Sequence, residues 1–278
     1  MTLQPGRAGP LAAVLLLAAL AQAQDEVPFI TSPDRVTLAL LTLAGVGPAD
    51  HVIDLGSGDG RIVITAARRF GASGLGVEIV PELVQRSRAS AQAAGVAERV
   101  AFQEQDLFQT DLSRASVVTM YLLPEVNLQL RPRLLALKPG TRIVSHDWDM
   151  GDWPPDRSLT LEVPEKAVGR EKRSSVHLWV VPARVQGLWC GPGAQLEISQ
   201  RFQAFSATFS ASGSLGGGAW PPAPLAVFDG RLDGARLQAT GMAARAEAGA
   251  LQLLSLPGAA ARWAGQHFVP AQAGRCPA

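Results

Sequence analysis

The chain predicts an α/β fold, a doubly wound and mostly parallel sheet, followed by a small all-β domain built as a meander or an open barrel. Three observations predict it. From Val52 to about Pro182, short apolar runs alternate with helical stretches, the pattern of parallel strands joined by right-handed crossovers with helices on both faces. After about Arg184 the helical periodicity fades, and turn signals recur at Gly191-Pro192-Gly193, Gly216-Gly217-Gly218, Asp229-Gly230 and Asp233-Gly234. The composition, 47% hydrophobic and 18% charged over 278 residues, supplies a core for one large domain or two smaller ones.

The elements follow in order. Arg7, the apolar run Leu11–Leu20 and Ala21-Gln22-Ala23 form the three parts of a secretory signal peptide over residues 1–23. The expected destination is the periplasm or the exterior. The run falls short of the ~20 apolar residues that span a bilayer, and an uncleaved interfacial anchor is the alternative. No other long apolar run occurs, so no transmembrane span is expected in the mature chain. A helix follows from about Asp34 to Ala44, with Ser32 as a plausible N-cap and Pro33 as its first residue. His51 to Leu55 reads as a strand, Arg61 to Phe70 as a helix stopped by Gly71, and Gly74 to Glu78 as a strand. Pro81 to Ala94 is a helix with proline in its first turn and Gly95 past its end. Arg99 to Gln103 and Val117 to Tyr121 are strands. Pro124 to Leu137 is a helix with a kink expected at Pro132. Arg142 to Ser145 and Val176 to Val181 complete the sheet, so residues 24–184 form the first domain.

Residues 185–278 form the second. Alternating runs such as Phe205 to Ser210 and Arg236 to Thr240 are strands, and Asp-Gly between such runs is a hairpin signal. An even pair of cysteines, Cys190 and Cys276, permits one disulfide in an exported chain, or stands as two unrelated thiols. A bridge between them would tie the two ends of a domain too small to be stable easily. Lys+Arg 25 against Asp+Glu 24 leaves a net charge of +1, which argues against a nucleic-acid partner.

The chemistry gathers at three strand ends. Asp54-Leu55-Gly56-Ser57-Gly58-Asp59-Gly60-Arg61 leaves a strand and opens a helix. Its glycines let the backbone turn sharply and approach a ligand, and the helix N-terminus favours an anion such as a carboxylate. Arg61 stands where a dinucleotide fingerprint has glycine, so the pattern is G-x-G-x-G. Glu78 ends the second strand, where a carboxylate can accept from both ribose hydroxyls. Asp106 follows the third, able to accept from an adenine amine while Leu107 or Phe108 covers the ring. Alone, each acid is more often a solvated strand end. Together they outline an adenosine site.

On these residues Val52 to about Asp156 resembles a class I S-adenosylmethionine-dependent methyltransferase, a Rossmann-like fold. With Val27-Pro28-Phe29, the early helix and Asp54 to Val63, the likeness narrows to small protein-lysine methyltransferases, whose mitochondrial members modify the ATP synthase c subunit and the adenine nucleotide translocase. The resemblance implies S-adenosyl-L-methionine as cofactor. It sets Gly56 and Gly58 against the methionine part, Glu78 on the ribose, Asp106 and Leu107 at the adenine, and Asp54 orienting the loop and the cofactor's ammonium; Ser57 belongs to the same cofactor-binding motif without an assigned role. Thr31-Ser32-Pro33 either closes over the cofactor or caps the helix.

The acceptor side lacks the Asn/Asp-Pro-Pro-Tyr of many amino methyltransferases. Tyr121, the only tyrosine, is a candidate for orienting an amine, or a plug at a strand end. Glu125 and Asn127 are candidates to accept from the substrate nitrogen, or simply begin the next helix. Trp148 and Trp153, interleaved with Asp147, Asp149 and Asp152, suit a pocket for a cation or a loop with buried tryptophans. A lysine of free pKa ~10.4 must lose its proton, and a dry pocket lowers that value, so apolar walls are expected in place of a dedicated base. The expected function is methyl transfer to an amine acceptor, a protein lysine or a small molecule. The rival is a non-catalytic exported binding protein on the same fold.

Overall fold

The computed structural model describes residues 30–167, 171–211 and 224–276. The signal-peptide expectation and the Gly216-Gly217-Gly218 turn lie outside these. The first half contains α1 (Asp34–Leu43), β1 (His51–Leu55), α2 (Arg61–Phe70), β2 (Ser73–Glu78), α3 (Pro81–Ala93), β3 (Val100–Glu104), β4 (Val117–Met120), α4 (Pro124–Leu134), β5 (Arg142–His146), β6 (Arg157–Glu162) and β7 (Arg173–Val180). They build a seven-stranded sheet in the order β3-β2-β1-β4-β5-β7-β6. The first five strands are parallel, and β7 runs antiparallel to both neighbours. The chain order reverses between β1 and β4, and in open α/β sheets ligands bind at such a point, beyond the strands' C-terminal ends.

Alternation along β1 shows why the sheet is covered twice. Val52 joins Val36, Leu40 and Ile62 on one face, while Ile53 joins Leu130, Leu134 and Trp179 on the other. A third cluster packs α2 and α3 over Phe102. Strand β6 was not predicted. It is an outer strand, mostly exposed, so it lacks the apolar run that marks the inner ones. The cap of α1 also differs from expectation. Pro33 is the N-cap, no side chain caps the helix, and Ser32 turns elsewhere.

The second half contains β8 (Gly187–Gly191), β9 (Ala194–Arg201), β10 (Ala204–Ala211), β11 (Pro224–Asp233), β12 (Arg236–Ala239), β13 (Met242–Glu247), β14 (Ala250–Ser255) and β15 (His267–Pro270). All pair antiparallel, and the eight strands form a closed barrel. Closure takes the place of the meander or open barrel because β15 returns to β8, pairing Val269 with Cys190 and Pro270 with Trp189. The interior is filled by Leu196, Phe205, Phe209, Phe228, Trp263 and Phe268. Asp233-Gly234 is the turn from β11 to β12, as read. Asp229-Gly230 is not a turn. It lies inside β11, and Gly230 pairs with both Phe205 and Ala239. A Cβ there would stand 2.3 Å from Gln238 O on one side and 2.7 Å from the Phe205 ring on the other, so this glycine makes room for both cross-strand neighbours. Cys190 and Cys276 are joined in a disulfide.

The two halves meet through the β9–β10 turn. Gln203 accepts from Trp153 Nε1 at 3.0 Å and donates to Pro154 O and Asp156 Oδ2, both at 3.0 Å. Phe202 stacks on Trp153 at 6.1 Å, Arg231 pairs with Asp156 at 3.0 Å, and Ala183 N donates to Gly234 O at 2.8 Å.

Candidate functional site

The loop after β1 is shaped by its glycines. Gly56, Gly58 and Gly60 have φ of 71°, 54° and 78°, a region other residues seldom enter. Gly56 N and Ser57 N both donate to Val77 O at 2.9 Å, which binds the loop to β2. A Cβ at Gly76 would lie 2.7 Å from Ser57 Oγ and 2.5 Å from Phe102, so the strand beside the loop must also be bare. Glu78 Oε2 accepts from Gly58 N at 2.9 Å, while Oε1 accepts from Ile79 N and Val80 N at 2.8 and 3.1 Å. The ribose candidate and the glycine loop are therefore one hydrogen-bonded unit.

Asp54 is 2% exposed and accepts from Thr119 Oγ1 at 2.6 Å. Burial raises its pKa to about 7; the Thr119 bond opposes this, and the charges of Glu78 and Asp59 add to it. Ser57 Oγ is buried without a hydrogen-bond partner among the described residues. A bare loop, an unpartnered hydroxyl and three clustered carboxyls fit a cationic nucleoside carrying an amino acid. The residues that would hold S-adenosylmethionine are Asp54, Gly56, Ser57, Gly58 and Glu78. On the adenine side, Asp106 is exposed and its Oδ1 accepts from Phe108 N at 2.8 Å, while Leu107 packs partly on the core. Arg133 fixes this turn by donating to the carbonyls of Leu107, Phe108 and Thr110.

The acceptor side is built from β4 and β5, the next strands over. Tyr121 follows β4 and is half-buried. Its ring lies 3.9 Å from that of His146, tilted by 32°. Leu122 packs at Gly56, where a Cβ would come within 2.9 Å of its Cδ2, so the Tyr121 segment borders the cofactor loop directly. His146 is buried between two hydroxyls, with Nδ1 2.8 Å from Ser32 Oγ and Nε2 2.9 Å from Ser174 Oγ. Burial lowers its pKa to about 4 against the pull of Asp147, so it is neutral at physiological pH. Burial, then Asp147, raises the Tyr121 hydroxyl. Ser32 O also accepts from Arg61 Nη1 at 3.0 Å, and Arg61 is held by Asp59 at 2.6 Å. Thr31-Ser32-Pro33 is thus tied to both the glycine loop and β5.

Glu125 is exposed in the first turn of α4. Asn127 is fully buried, and its Nδ2 donates to Trp148 O and Asp149 O at 3.3 and 3.2 Å. Asn127 thus braces the loop after β5 through its Nδ2, while its buried Oδ1, the atom that would accept from an amine, has no hydrogen-bond partner among the described residues. Trp153 is buried against the barrel, while Trp148 is 43% exposed. Sequence reasoning named Asp147 only within a run of acids and tryptophans suited to a cation, and Ser32 only within a segment that closes over the cofactor or caps the helix; it missed His146. The nearest signal for His146 was position, at the C-terminal end of a central strand.

The description of the family model that matches residues 54–157 is ANTKMT methyltransferase domain. A protein-lysine N-methyltransferase of Saccharolobus islandicus is 42% identical over 139 residues, which cover 49% of this chain and 86% of that protein. The adenine nucleotide translocase lysine N-methyltransferase of Mus musculus is 34% identical over 131 residues; the match spans 47% of this chain and only 57% of the mouse protein. Among solved structures, an RNA methyltransferase from Salinibacter ruber in complex with S-adenosyl-L-homocysteine is 49% identical, with a TM-score of 0.52, covering 56% of this chain and 96% of that one.

Proposed function

Because the chain belongs to the S-adenosylmethionine-dependent methyltransferases of the ANTKMT domain family, we propose that it methylates the ε-amine of lysine in a protein outside the cytoplasm. One observation carries the acceptor: Tyr121, stacked on a neutral histidine and beside Asp147, borders the cofactor loop through Leu122. A phenol oxygen and a carboxylate suit an amine that arrives as a cation. The cofactor supplies a methyl group already activated on a sulfonium. The chain's part is to align nitrogen with it and to exclude water.

The lysine methyltransferases among the relatives, those of Saccharolobus islandicus and Mus musculus among them, support this acceptor. The Salinibacter protein's description as an RNA methyltransferase points to the rival substrate. Against RNA stand the balanced charge and the exposed acids Glu125 and Asp149 on the acceptor side, which repel a polyanion. The Cys190–Cys276 bond supports export, since disulfides persist in oxidising compartments.

The test pairs methyl-labelled S-adenosylmethionine with extracellular-fraction protein and with total RNA. Label recovered as methyl-lysine is expected; label recovered only in RNA overturns the acceptor. Fractionation of cells, with sequencing of the mature N-terminus, checks export. A chain found in the cytoplasm with residues 1–23 still attached counts against it.

A further inference from the structure

Three lysines occur in the chain, Lys138, Lys166 and Lys172. Lys138 and Lys172 are exposed, and only Lys166 is drawn in, its side chain 14% exposed. It lies after β6, on the connection to β7 that emerges at the same end of the sheet as the cofactor loops. Its Nζ is 2.7 Å from Asp147 Oδ2 and donates to Arg173 O at 2.6 Å. The receiving carboxylate is itself built in. Asp147 has φ 62°, unusual for a non-glycine residue, and its Oδ1 accepts from Ser175 N at 2.9 Å. The same carboxylate faces His146 Nε2 at 3.6 Å, and His146 carries Tyr121 on its ring.

We infer that Asp147 is the binding group for the acceptor ammonium, and that Lys166 occupies it as an internal substrate, a methylation site of the chain on itself. The inference rests on the amine-acceptor reading above and adds the residue that captures the amine. In the transfer, the deprotonated Lys166 nitrogen forms a bond to the methyl carbon as that carbon's bond to sulfur breaks. S-adenosylhomocysteine departs, and one proton per methyl group passes to solvent. A tethered amine competes at an effective concentration of about millimolar, so an external lysine must displace it.

Two measurements test this on the full chain. Without cofactor, limited acetylation by acetic anhydride is read by mass spectrometry. Lys166 should react at least about tenfold more slowly than Lys138, and Asp147→Asn should remove most of that protection. Equal reactivity of Lys166 and Lys138 overturns the docking. With S-adenosylmethionine added, mass increments of one to three methyl groups are expected on Lys166, at a rate independent of protein concentration. Lys166→Ala should abolish them while labelling of an added lysine-rich protein persists, since it leaves Asp147 open to an external amine. If Lys166 stays unmodified while the added protein is methylated, the inference fails and the acceptor reading stands. If neither is methylated although the cofactor binds in calorimetry, both fall.

Discussion

Asp54, proposed to hold the cofactor, should set the pH behaviour of cofactor binding. With its pKa raised to about 7, it carries a proton at the acid end of the physiological range. A cation entering the site favours the ionised carboxylate, so binding must expel that proton. Affinity for S-adenosylmethionine should therefore rise as pH climbs through about 7 and level off above. Calorimetry in buffers of different ionisation enthalpy reads the released proton, and Asp54→Asn should flatten the profile. The same shift acts on the fold in the opposite sense. The folded chain keeps a proton that an ordinary unfolded carboxyl loses near pH 4, so this stabilisation is present below that pH and is lost as pH rises through about 7. At Glu78, removing the carboxylate deletes hydrogen bonds worth about 1.5–3 kcal/mol to a charged group. Glu78→Ala should weaken cofactor binding about 10–100-fold by the same measurement, and Glu78→Gln less. These two acids were legible from the sequence because glycine spacing announced the loop beside them. The Tyr121–His146–Asp147 constellation was legible only in part. Its tyrosine stood out as the sole one in the chain, while its histidine had no spacing to mark it.

At the scale of elements, the β9–β10 turn decides how the barrel is seated. Gln203 is 1% exposed and satisfies Trp153, Pro154 and Asp156 together. Gln203→Ala leaves a buried indole N–H without its acceptor, at a cost of about 1–3 kcal/mol. Thermal unfolding should shift down by several degrees, with near-ultraviolet circular dichroism showing the loosened Trp153. The inner strands and helices of the first domain were readable because both of their faces are buried or capped by glycine and proline. Strand β6 was not, since only Leu161 among its six residues is partly buried. The Asp229-Gly230 pair misled for a related reason. The glycine answers to Phe205 across the sheet, and no local pattern reports a partner more than twenty residues away.

For the molecule as a whole, the barrel's last pairings are its slightest. Strand β15 meets β14 at Leu251↔Phe268 and Gln252↔His267, and meets β8 at two positions more. The disulfide sits across that junction and closes a long chain segment, worth about 4 kcal/mol by loop-closure entropy. Reduction should lower the melting temperature of the barrel, followed by its tryptophan fluorescence, more than that of the sheet domain. What the bond guards, though, is less the stability than the company the protein keeps. It works as the clasp of a bracelet: unfastened, the ring can spring open and bare two rows of unpaired backbone groups, each a ready template for another molecule. Reduced protein should then grow into dimers and larger species on light scattering, where the intact ring stays monodisperse.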